Sequence, residues 1–322
     1  MSNFTDFFPS GGGASGSGGY IPGIIGFEYM GLSGGGAGGE IDPNGRAGGA
    51  GGGGTLIYQF GYTYLGIVTP VIVGAGGSYA GSIDGPGGST IIGDPKNLLV
   101  TTILGGGGAP LNQNPVNDFG TCAGGRGQTN QYSFSARKGN GFTSRGAIIG
   151  VLDTPEVNSN MKNINDTTTP FLNGATNGYS GPGGAGLGGN GVNPSYNSGS
   201  IGGIGLDPTT ITDRFLTQAE LQTELIGEVT SGTSYIGGGG SGARSSGKAN
   251  PPGGCGAVNN PGLPNTGGGG GAGSLGSGGS GFAMLRLPTS QNVTTTGTPS
   301  TYIKGDDTVY VWKNTGSITI TS

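Results

Sequence analysis

The sequence predicts a mostly β chain with glycine-rich polyproline-II or polyglycine-II segments, one short helix and a C-terminal β-meander. Three observations lead there. Glycine supplies 81 of 322 residues while charged residues make up only 9%, against roughly 7% and 25% in an average globular chain. Glycine also falls on every third position from 36 to 54, at 36, 39, 45, 48, 51 and 54 with only Asp42 breaking the series, and again without a gap at 267, 270, 273, 276 and 279. Finally, short β-branched or aromatic runs lie between the glycine tracts, and several end directly in glycine, as in VIVGAGG and TTILGGGG. Glycine-rich polar chains usually stay disordered because they bury too little apolar surface to offset ordering entropy. A formal net charge of −4 provides little of the repulsion that keeps such chains solvated, so the ordered reading is preferred.

The period of three matches polyproline II, which has three residues per turn and no internal hydrogen bonds. Glycine at the contact positions lets a neighbouring backbone approach, and the unpaired N–H and C=O groups then bond between segments. Each such bond contributes about 1 kcal/mol net, so many segments are needed, and the chain supplies many. Collagen is disfavoured, because the other two positions hold Gly, Ala and Ser and the register breaks repeatedly.

The apolar runs at 24–30, 55–60, 67–73, 97–104, 147–152 and 282–287 are bounded by Gly, Pro or Asp and read as strands. Thr217-Gln-Ala-Glu220 forms a capping box that opens a helix. Leu221 and Leu225 fall on one face of it, and Gly227 offers the C-cap. In the tail, residues 301–304, 308–313 and 317–321 alternate in polarity around Gly305-Asp-Asp and Asn314-Thr-Gly turns, the pattern of a three-stranded meander with Trp312 in its core. Three regions follow: an N-terminal segment 1–22, a glycine-rich body 23–288 carrying a polar insert at about 109–200, and a cap 289–322.

Composition also excludes chemistries. The chain has no His, which removes most general-base, triad and transition-metal arrangements. Its 13 Lys and Arg are scattered singly, so nucleic acid is not an expected partner. No apolar run reaches membrane-spanning length, and no secretory leader opens the sequence. Cys122 and Cys255 do not suffice for a metal site. Asp306-Asp307 and Asp42/Asn44 read as turn residues before cation ligands, and Gly242 to Ala249 falls short of a phosphate loop because Ala249 stands where Ser or Thr is needed. The sequence therefore predicts a protein that is not an enzyme and carries no cofactor or metal.

The stretches 68–108, 233–242 and 264–288, taken in that order, resemble the glycine-rich bacteriophage tail fibre and receptor-binding adhesin family. There a strand ends in V-G-A-G-G, a small polar segment follows, and a G-G-S-G tract with an Arg-bearing strand closes the repeat. MSNFTDFFPSGGG is similar to the start of short fibre proteins of marine phages. Segment 109–200 and the tail 289–322 depart from the plain repeat. The resemblance implies a virion-associated, trimeric, non-enzymatic protein, made in a host cytoplasm, that packs polyglycine-II helices in layers. It implies attachment to a host surface glycan or outer-membrane protein. The aromatic and amide-rich insert then supplies contact residues Tyr132, Phe134, Tyr179 and Tyr196, with Arg137 and Lys138 for anionic sugars. Phe4, Phe7 and Phe8, ahead of Pro9 and a Gly/Ser hinge, become apolar plugs for other virion proteins. The competing readings are a capsid fibre or decoration protein and a non-viral structural or ice-binding protein. The irregular spacing of Thr at 167–169 and 294–296 counts against ice binding.

Overall fold

The computed structural model describes residues 23–39, 49–80, 83–93, 101–103, 105–106, 148–149, 183–189, 191, 200–242, 251–273 and 275–321. Strands β1 (Ile24–Leu32), β2 (Leu56–Tyr64), β3 (Val68–Ile72), β7 (Thr101–Ile103) and β8 (Ile148–Ile149) arise where the sequence places apolar runs. So does β11 (Phe282–Pro288). Shorter strands β4 (Tyr79–Ala80), β5 (Ile83–Asp84), β6 (Thr90–Ile92), β9 (Glu228–Thr230) and β10 (Thr233–Tyr235) fill the intervals. The tail contributes β12 (Val293–Thr296), β13 (Ser300–Lys304), β14 (Asp307–Trp312) and β15 (Gly316–Ile320).

Two sheets carry the sandwich, one ordered β13-β14-β11-β1-β2-β8 and the other β12-β15-β3-β6-β7. Strand alternation sorts the side chains of the first sheet into two cores. Phe27, Tyr29, Ala283, Leu285, Leu287 and Trp312 meet Val71, Ile92, Ile318 and Ile320 of the second sheet. Met30, Leu32, Tyr58, Phe282, Met284, Val309 and Val311 point the other way, against Phe215, Leu216, Leu221 and Ile226. Both faces of the first sheet are thus covered, which explains the near-continuous apolar run FAMLRL in β11.

The tail does not form a meander. β13 and β14 make the expected hairpin, but β14 also pairs with β11 along its length, from Ala283↔Trp312 to Pro288↔Asp307. Its second edge is therefore taken, and β15 crosses to the other sheet to pair with β12 and β3. Trp312 is fully buried as expected and donates its indole N–H to the Thr296 carbonyl at 2.9 Å.

Helix α1 (Gln218–Thr223) is shorter than its sequence suggests, although both halves of the capping box form. Leu225 does not share the buried face with Leu221. It adopts φ 55° just past the C-cap Glu224 and is 72% exposed. Ile226 N–H donates to the Leu221 carbonyl at 2.9 Å and Leu225 N–H to that of Gln222 at 3.1 Å. This is a Schellman ending, and it swings Ile226 into the core position beside Leu221. A left-handed L-residue is strained by roughly 1–2 kcal/mol. Leu225→Gly is expected to raise stability by roughly 1 kcal/mol or less after glycine's extra unfolded-state entropy, measured as a higher urea midpoint.

Between the strands the glycine segments form a bundle. Residues 34–39 occupy its middle. Gly34 and Ala37 donate N–H bonds to Gly88 and Gly85, Gly35 and Gly38 to Gly279 and Gly276, and Gly36 and Gly39 to Gly52 and Gly49. The carbonyls of Gly34, Gly35 and Gly36 accept from Gly106, Gly77 and Gly270. Partners therefore recur every third residue, the turn period of polyglycine II, and the segment bonds to six others. The same rule holds at 269 and 272, which donate to 238 and 241, and at 239 and 242, which donate to 203 and 200.

The period differs from the expectation in one respect. The sequence reading places every third glycine at a contact, yet a Cβ on Gly268, Gly269, Gly270 or Gly271 would each lie within 2.2 Å of a carbonyl oxygen. A segment surrounded on all sides meets backbone whichever way a side chain points. The period of three is thus a property of the hydrogen bonds, and unbroken glycine runs reflect complete enclosure.

Candidate binding surface at the free end of the bundle

The hydrogen-bond register gives the bundle a direction. Gly54, Gly237, Thr266, Gly267 and Gly281 lie at the sandwich end, next to the strands that β2, β10 and β11 provide. At the opposite end Gly39 bonds Gly49 and Gly273, Ala272 bonds Ser241 and Asn259, and Gly242 bonds Ser200. At about 3.1 Å per residue, six residues of polyglycine II set these ends roughly 19 Å apart. The described residues that flank 40–48, and those that precede 192–199 and 243–250, sit at this free end. The turn at 257–260 and residue 275 sit there as well.

The ends of the described chain lie at the other pole. Gly23 accepts a bond from Leu65 N–H at 2.7 Å, and Ile320, near the C-terminus, accepts one from Gly66 N–H at 2.7 Å. The β2–β3 corner thus gathers both ends of the described chain, and the glycine bundle projects away from them.

The 257–260 turn and residue 275 are neutral and partly apolar, and strands β4 and β5, with Tyr79 paired to Asp84, follow at this end past Gly85, which bonds Ala37. Asn259 and Asn260 are exposed on the turn after Val258, Asn259 with φ 61°, and Leu275 is 65% exposed. The Asn259 amide oxygen packs where a Cβ on Gly273 would sit. Sequence reasoning passed over these residues; the available signals were the Asn-Asn-Pro-Gly turn and a lone leucine inside a glycine tract. Tyr132, Phe134, Arg137, Lys138, Tyr179 and Tyr196 lie outside the described residues, as do Phe4, Phe7 and Phe8, and also Arg244, Lys248, Asp42 and Asn44.

Among the described residues the ion pairs lie on the sandwich. Glu28 is buried, 2.7 Å from Arg214 and 3.1 Å from Arg286, and accepts a bond from the Tyr58 hydroxyl at 3.3 Å. Burial pushes the Glu28 carboxyl above its ordinary value, and the two guanidiniums offset part of that rise. Burial and the Glu28 charge push the Tyr58 phenol up to about 12. Arg286 also pairs with Asp307, so this acid of the Asp306-Asp307 turn serves an ion pair. On α1, Glu220 pairs with Lys304, and Glu224 holds Lys313 at 2.9 Å, Ser300 at 3.0 Å and Tyr302 at 2.5 Å. Burial alone would raise both acids, but these bonds bring them below the ordinary value. The contacts of Arg214, Lys304, Lys313, Ser300 and Tyr302 join α1 or the 211–216 loop to the first sheet, and those among Glu28, Tyr58, Arg286 and Asp307 tie neighbouring strands of that sheet, so the network braces the fold.

Glu228 and Cys255 are likewise committed. Glu228 accepts from the Gly253 and Gly254 N–H groups at 2.9 and 2.8 Å. Cys255 is buried, its thiol donates to the Pro251 carbonyl at 3.0 Å, and burial pushes its pKa up to about 12. Among the described residues no group of three or more acids or thiols is placed to hold a metal ion, and no helix is long and apolar enough to cross a membrane.

A family described as a glycine-rich domain matches residues 21–288. No curated protein and no solved structure matches the chain.

Proposed function

Since this chain belongs to the glycine-rich domain family, we propose that it is an attachment protein of a bacteriophage virion, a tail fibre or adhesin that meets the host cell surface. The observation that carries the reading is polarity. Both ends of the described chain meet at the β2–β3 corner, while the hydrogen-bonded glycine bundle runs away from them and ends in turns. Such a body is held at one pole and presents the other. A lattice of backbone bonds supports this role because it leaves its connecting loops free to vary in sequence.

Recognition is assigned to the aromatic and amide-rich insert, with Tyr132, Phe134, Tyr179 and Tyr196 stacking on sugar rings and Arg137 and Lys138 meeting anionic groups. The partner is a host surface glycan or outer-membrane protein. Each stacking contact adds only about 0.5–1.5 kcal/mol beyond burial, so three copies on one fibre would raise avidity through effective concentration. Phe4, Phe7 and Phe8 are assigned to the virion side. No catalytic step is part of the reading.

The test is adsorption. Tyr132→Ala with Phe134→Ala should abolish binding to host cells, while the circular dichroism melt and incorporation into virions stay unchanged. Retained adsorption by that variant, with loss on deleting 289–322, would place recognition at the opposite pole.

A further inference from the structure

The pole that gathers the chain ends carries an apolar corner that the described residues leave open. Leu65 is 40% exposed, Ile67 37% and Val68 55%, with Ile72 at 39% further along β3. No charged residue occurs in the sequence between Arg46 and Asp84. A contiguous apolar patch of this kind is a docking surface or an aggregation hazard. The described chain begins here: Gly23 bonds Leu65, and a Cβ on Gly23 would lie 4.0 Å from the Leu65 Cβ. Upstream of Gly23 stand three phenylalanines within five residues, Phe4, Phe7 and Phe8, accompanied by a single charge, Asp6.

We propose that the stretch Phe4 to Phe8 docks in cis onto the corner formed by Leu65, Ile67 and Val68. Reach permits it. Fourteen residues, Pro9 to Pro22, separate Phe8 from Gly23, and nine of them are Gly or Ser. A flexible linker of that length spans roughly 20 Å root-mean-square, more than the β2–β3 corner requires. Tethering sets an effective concentration on the order of millimolar, so the intramolecular partner wins over a second copy at micromolar protein. The gain is apolar on both sides: each phenylalanine can bury about 150–250 Å² of surface, and the corner has no charge to desolvate. The contact shields both patches, and it leaves the phenylalanines available to any virion component that offers a tighter seat. It stands independently of the attachment reading, since it concerns the free protein.

The experiment places the photo-crosslinker p-benzoylphenylalanine at position 7 of the full chain and irradiates it at micromolar concentration. Mass spectrometry of the digest should show an intramolecular link to residues 65–72. Val68→Arg, at an exposed position that leaves the core intact, should reduce that link to background and increase bis-ANS binding. A link to another part of the chain, a link only between chains, or a yield indifferent to Val68→Arg would each overturn the proposal.

Discussion

Gly270→Ala is expected to unfold the glycine bundle, although alanine is ordinarily the safer residue. At an unstrained backbone position, replacing glycine by alanine gains about 0.4–1 kcal/mol by restricting the unfolded chain. Here the added Cβ would stand 1.8 Å from the Gly276 carbonyl oxygen and 2.4 Å from its carbon. Backbone cannot turn aside as a side chain can, so two segments must separate. Gly270 donates to Gly36 and accepts from Gly51, at 2.9 and 2.8 Å. Losing these and their neighbours, at about 0.5–1.5 kcal/mol each, consumes much of a stability of about 5–15 kcal/mol. Gly305→Ala is the control: its φ is +63° but nothing lies within 4 Å, so it should cost only about 1–2 kcal/mol of left-handed strain. Along the chain, Gly276→Val should likewise be far more damaging than the half-buried Ser277→Val. Thermal melts followed by far-ultraviolet circular dichroism decide the matter, and a Gly270→Ala midpoint equal to that of Gly305→Ala would refute the lattice.

Glu28→Ala should destabilise the sandwich by about 3–5 kcal/mol, because it strips a buried carboxylate from two arginines. Arg286 is 12% exposed and would keep Asp307 as its partner, while Arg214 would lose the contact that ties its loop to β1. The pH dependence separates this acid from those on α1. The folded pKa of Glu28 is raised, so the protonated form is favoured on folding and its contribution is lost as pH rises from about 4.5 through the folded value. The folded pKa values of Glu220 and Glu224 are lowered. Their contribution is present above 4.5 and is lost as pH falls from there through the folded values. Urea midpoints measured from pH 7 to 3 should therefore fall steeply only below about 4.5. Glu224→Gln should flatten that acid limb, whereas Glu28→Gln should leave the limb as it is and remove the loss of stability that accompanies rising pH above about 4.5. An acid limb unchanged by Glu224→Gln would mean that the Tyr302, Ser300 and Lys313 contacts contribute nothing to stability.

Much of the candidate surface was not legible from residue types. The sequence shows aromatic and amide-rich stretches, and composition alone marks them as recognition material. It does not show that Gly39, Gly242 and Gly273, far apart in the chain, end at one level, because that level is set by bonds between distant segments. Asn259 and Leu275 became visible as tip residues only through that register.

What the sequence determined by itself was local or periodic. Apolar, β-branched or aromatic runs bounded by Gly, Pro or Asp placed six strands, since strand preference and turn signals are written in neighbouring residues. Thr217 and Glu220 placed the start of α1, because a capping box closes within one turn. The period of three announced polyglycine II, because the turn of that helix is three residues long. What only the tertiary structure decided was which segments neighbour one another. Backbone hydrogen bonds between glycines carry no side-chain code, so nothing in Gly36 names Gly52 or Gly270 as its partners. The same holds for β15, whose Ile318 and Ile320 suit either sheet. It joins β3 because β11 had already taken the open edge of β14.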